Sequence, residues 1–89
     1  MTLFFKRRNL PFKRDSQGFL VVNSKSGTFS RLEGVSATVW INLKNPKAKQ
    51  ELIKLICSEY EVDKKTASTD LEEFLNQAIK AGFIEKIEK

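Results

Sequence analysis

The chain has no histidine and a single cysteine, Cys57, in 89 residues. With one thiol an internal disulfide is excluded, and with no imidazole that thiol has no partner for a zinc cluster or a thiol–imidazole pair. The commonest general acid–base group near neutral pH is also missing. No P-loop, GxGxxG, GxSxG or HExxH pattern occurs, so the usual motifs for binding phosphate, dinucleotide or zinc and for serine nucleophiles are absent. These absences argue against an enzyme and give no reason to expect a cofactor or metal. No apolar run is long enough to cross a bilayer, and membrane partners are not expected. In Met1–Arg8 the apolar residues precede the charges, the reverse of a secretory signal, which points to a cytoplasmic protein. At this length one domain is expected, 1–89, with residues 1–10 as a basic N-terminal arm.

Positive charge is plentiful and unevenly placed. Residues 1–31 hold Lys6, Arg7, Arg8, Lys13, Arg14, Lys25 and Arg31 against Asp15 alone, whereas residues 32–89 set nine lysines against ten carboxylates. The excess therefore belongs to the N-terminal third, which should attract an anionic partner: nucleic acid, acidic peptide or an acidic protein face.

The first half reads as strands. Pro11–Asp15, Gly18–Asn23 and Gly27–Leu32 are rich in Phe, Val, Leu and Thr, and Asp15-Ser16-Gln17-Gly18 and Asn23-Ser24-Lys25-Ser26-Gly27 between them carry turn chemistry. In the third segment, alternation puts Phe29 and Arg31 on one face and Thr28, Ser30 and Leu32 on the other. The second half reads as three helices. The first runs from near Gly34, with Val35, Val39, Trp40 and Leu43 at helical spacing, to Lys44-Asn45-Pro46. A second is predicted over Pro46–Ser58, with Asn45 as cap and Pro46 in the first turn. A third is predicted from Asp63 as cap, in preference to a Thr69-x-x-Glu72 capping box, to Gly82. Phe83–Ile87 then reads as a short strand. Trp40 should be the largest core residue and Cys57 core filler. The fold class is α+β and winged helix-turn-helix-like: a three-stranded antiparallel N-terminal sheet, three helices and a C-terminal strand.

Ser30-Arg31-Leu32-Glu33-Gly34-Val35-Ser36-Ala37-Thr38-Val39-Trp40 resembles the strand, Leu-Asn, small residue, Ile-Trp block of the PqqD-like family. Asp70 to Ala78 followed by Gly82-Phe83-Ile84 resembles that family's Asp-Val, Phe-Leu, Gly-Leu-Ile ending, and the Glu59–Asp63 junction also fits. The resemblance spans about residues 11–87. Departures are Glu33 for the usual Asn, Lys44-Asn45-Pro46 for an Asp-Gly turn, and Ala78 for a larger aliphatic, which would leave room beside the third helix.

The resemblance implies a recognition element for ribosomally made, post-translationally modified peptides of the lasso-peptide or PQQ type. Such an element binds the leader of a precursor peptide and presents it to a separate modifying enzyme or leader peptidase. It also implies strand addition to the third strand and pockets between that strand and the third helix. Carried over by position, the peptide-binding candidates are Thr28, Phe29, Ser30, Arg31 and Leu32 on the strand and Leu71, Glu72, Leu75, Asn76 and Ile79 on the helix. Phe29 or Leu32 is the expected apolar anchor, and Arg31 the expected partner of an acidic leader residue. The rival use of the fold is DNA binding. The third helix opposes it, because Asp70, Glu72 and Glu73 would repel phosphate where a recognition helix presents Arg, Lys, Asn or Gln. A scaffold subunit that contacts only a protein partner is a further alternative.

Overall fold

The computed structural model describes residues 2–89. Two three-stranded antiparallel sheets flank the helices. In chain order the elements are β1 (Leu3–Arg7), β2 (Phe12–Asp15), β3 (Gly18–Asn23), β4 (Thr28–Glu33), α1 (Val35–Asn42), β5 (Lys47–Ala48), α2 (Lys49–Glu59), α3 (Lys64–Ala81) and β6 (Ile84–Glu88). The three helices, the N-terminal meander and the C-terminal strand expected from the sequence are present. The meander has strand order β2-β3-β4, and the second sheet is ordered β5-β1-β6.

Turn chemistry sets the meander. Asp15 Oδ1 accepts hydrogen bonds from the Gln17 and Gly18 amides at 2.9 and 3.0 Å, closing the β2–β3 turn around two residues. A Cβ on Gly18 would lie 2.0 Å from the Leu32 carbonyl oxygen, so close approach of β3 to β4 requires glycine there. At the far end Asn23 Nδ2 donates to the Ala81 carbonyl at 3.3 Å, tying the β3–β4 turn to the end of α3.

Three details differ from the sequence reading. Residues 3–7 are a strand and not a loose arm: β1 pairs with β6 from Leu3↔Glu88 to Arg7↔Ile84 and with β5 at Phe4↔Ala48 and Phe5↔Lys47. Phe5, flanked by charge in sequence, is buried in the core. The second helix starts at Lys49, because Lys47–Ala48 is drawn out to pair with β1. Asn45 and Pro46 therefore do not cap it; Glu51 instead reaches back to accept from the Ala48 amide at 3.0 Å. Finally, Ala78 is fully buried among core residues and does not line the groove-side hollows beside the third helix, where the sequence reading left room next to it.

α3 begins and ends as read. The Asp63 carboxylate accepts from the Thr66 amide at 2.7 Å, and Gly82 takes the left-handed conformation at φ 87° that closes the helix. Thr69 lies within the helix and bonds the Lys65 carbonyl, which excludes the later start. Trp40 is fully buried, with Val39, Leu43, Leu52, Ile56, Leu71 and Ala78 around it in one core. Cys57 packs against that core half-buried. None of the helices among the described residues is long and apolar enough to cross a membrane.

Candidate functional site

β4 is an edge strand. It pairs with β3 from Asn23↔Thr28 to Gly18↔Glu33, and no strand lies on its other side among the described residues. Which amides face outward follows from one bond. The Val22 amide donates to the Pro11 carbonyl at 2.9 Å, so Val22 presents its backbone to the β2 side. Polar groups alternate along a strand, so Val21 turns its amide and carbonyl toward β4 and pairs by hydrogen bonds with Ser30. Thr28, Ser30 and Leu32 thus bond inward, and the backbones of Phe29, Arg31 and Glu33 face the open edge.

The open edge looks across a groove to α3. Two adjoining hollows of about 310 and 320 Å³ share Ser36, Phe74 and Gln77 as walls. The floor is apolar where Leu32, Phe74, Ala81 and Phe83 meet, with the Phe74 and Phe83 rings 6.3 Å apart. The end nearer α1 is acidic, lined by Glu33, Asp70 and Glu73. On α3 the groove residues are thus 70, 73, 74, 77 and 81, a stripe at helical spacing.

That stripe is displaced around the helix from the residues named on resemblance. Leu71 and Leu75 are buried core residues. Glu72, Asn76 and Ile79 sit on the side of α3 that faces Leu3, Phe5 and Lys86 of the β1–β6 sheet, and Glu72 is ion-paired with Lys49 at 3.3 Å. The physical reason is the second sheet: Leu3, Phe5 and Lys86 lie beside the flank that carries Glu72 and Asn76, both still exposed, whereas β4 lies beside the Phe74–Gln77 flank.

The strand candidates divide as well. Leu32 is buried and closes the groove from below, and Ser30 is half-buried beside it. Phe29 is 72% exposed on the opposite, solvent face of the sheet, next to Val22. Thr28 shares a hydrogen bond with Ser26 at the turn. Arg31 is already engaged: its guanidinium bonds Asp15, Glu33 at 3.0 Å and Gln17 at 3.3 Å. Asp15 and then Glu33 hold its pKa above the ordinary arginine value. The Gln17 amide and then Arg31 hold the Asp15 carboxyl below the carboxylate range. A leader carboxylate would compete with these exposed partners for Arg31. Phe74 and Gln77, which wall the groove, are not among the residues named on resemblance. Their helical spacing is visible in the sequence, but nothing local says which flank of α3 a distant strand will cover.

Comparison with known proteins bears on the family and the fold. Residues 18–84 match the family model described as Coenzyme PQQ synthesis protein D (PqqD). A solved structure described as TbiB1 in complex with the TbiA(beta) leader peptide is 26% identical, with a TM-score of 0.81 over 90% of this chain and 94% of that one. Another, lasso peptide synthetase B1 complexed with the leader peptide, is 20% identical, with a TM-score of 0.79 over 91% and 96%. A comparison with curated proteins gives no match.

Proposed function

Since the chain belongs to the PqqD family, we propose that it binds the leader region of a ribosomally made precursor peptide as an added strand on β4 and presents it to a separate modifying enzyme or leader peptidase. The observation that carries this reading is the open edge of β4 facing the α3 groove. The outward amides and carbonyls of Phe29, Arg31 and Glu33 supply pairing that any extended peptide can use. Selection comes from side chains. Alternate residues of an added strand point to opposite faces, so one set drops toward Leu32, Phe74 and Phe83 while the other lies beside Phe29 on the outer face.

The chain is proposed as a binder and not a catalyst, at work in the cytoplasm where precursor peptides are translated. Calorimetry with a leader peptide, amide exchange over residues 28–33 and the mass of the recovered peptide test the reading together. Saturable binding, slowed exchange at Phe29, Arg31 and Glu33 and an unchanged mass are expected. Binding without any protection of β4 would place the site elsewhere, and a covalent change in the peptide without a second enzyme would overturn the adaptor role.

A further inference from the structure

A second concave surface lies away from the β4 groove, across the Asn23–Ala81 tie. It is a hollow of about 590 Å³ lined by Lys6, Arg7, Arg8 and Lys25, with one carboxylate, Glu85, beside them. Glu85 is 4.0 Å from the Arg8 guanidinium and offsets a single charge. Lys6 and Arg8, the latter just past the end of β1, share one face of that strand, and folding brings Lys25 from a separate part of the chain to the same cavity, an excess of positive charge that attracts an anion. Arg7 lies between Lys6 and Arg8 with its side chain on the opposite face. Its guanidinium is stacked 4.6 Å from the Trp40 ring, and its Nη1 is buried without a hydrogen-bond partner. Leu10 and Pro11 add an apolar wall.

We propose that this hollow binds an acidic stretch of polypeptide, held by Lys6, Arg8 and Lys25. Glutamate suits it, because the methylenes can lie on Leu10 and Pro11 while the carboxylate reaches guanidinium and ammonium groups. Duplex nucleic acid suits it less. A duplex gains affinity from a row of phosphate contacts, whereas these cations converge in one cavity beside a strand that also carries Glu85 and Glu88. The site is separate from the peptide groove, so it stands or falls independently of the function proposed for β4.

Labelled hexaglutamate, titrated by fluorescence anisotropy at low salt, provides the test. The K6Q/R8Q/K25Q variant should bind about tenfold more weakly, the sum expected of three exposed ion pairs. A K13Q/R14Q variant removes cations of the same N-terminal third that lie on β2 outside the hollow, and should bind almost as the native chain does. Loss in both variants in proportion to the three and two charges removed would reduce the effect to net charge and overturn the site. So would failure of the native chain to bind the probe, or tighter binding of a short DNA duplex than of the peptide.

Discussion

Trp40 joins the N-terminal sheet to the helices through three neighbours: the Phe12 and Phe19 rings at 4.8 and 5.5 Å and the Arg7 guanidinium at 4.6 Å. Truncation to alanine should cost about 3–5 kcal/mol, a large share of the roughly 5–15 kcal/mol that keeps a domain folded. Urea denaturation of Trp40→Ala should show a midpoint far below that of the native chain; a small shift would mean the sheet is held by other contacts. Two exposed carboxylates govern acid behaviour. Asp63 is held below its ordinary value by the Thr66 amide and hydroxyl, and Asp15 by the Gln17 amide and then Arg31. Both folded values are depressed, so what they add to stability is complete above the unfolded value of about 3.9 and is lost as pH falls through the folded values. The unfolding temperature should fall in acid below about pH 4, and less steeply in the Asp15→Asn/Asp63→Asn variant. An equally steep fall in that variant would assign the acid limb to other groups.

At the scale of elements, the phase of β4 and the phase of α3 are each testable with a pair of substitutions. Proline removes an amide donor. Phe29→Pro takes one from the open edge and should weaken leader binding while leaving the fold intact; Ser30→Pro takes one from the β3 ladder and should lower stability first. If Phe29→Pro destabilises and Ser30→Pro does not, the strand is in the opposite phase. On α3, Gln77→Trp fills the groove and should reduce leader affinity by about tenfold or more, equivalent to roughly 1.4 kcal/mol. Asn76→Trp places the same ring on the β1–β6 side and should change affinity little. Calorimetry on the two decides which flank of the helix meets the peptide.

For the whole molecule, the strand at the N-terminus changes what a truncation means. Residues 3–7 pair with β6 at the other end of the chain and bury Phe5. Removing residues 1–9 should therefore cost stability, about 3–5 kcal/mol from the lost aromatic alone, and not merely strip charge from a surface. A truncated chain with an unchanged urea midpoint would contradict the second sheet. Charge acts at this scale too. The cations of the N-terminal third oppose the acids of α3, so duplex DNA should bind weakly and with a steep salt dependence; sequence-specific binding at physiological salt would reverse the ranking of DNA against peptide.

What the sequence determined by itself is local. Turn residues such as Asp15 and Asn23 and strict alternation set the β2–β4 meander, and Asp63 and Gly82 bound α3, because a cap or a left-handed residue acts within one turn of itself. The remainder depended on pairings between residues far apart in the chain. β1 looked like a charged arm because two aromatic residues followed by three cations carry no strand signal until β5 and β6 lie on either side of them. That pairing places the second sheet beside one flank of α3, while β4 lies beside the other. The same packing engages Arg31 with Asp15 and gathers Lys25 beside Lys6, Arg7 and Arg8. Periodicity says that a helix has a buried face, but only the tertiary arrangement decides which strand lies against each of its flanks.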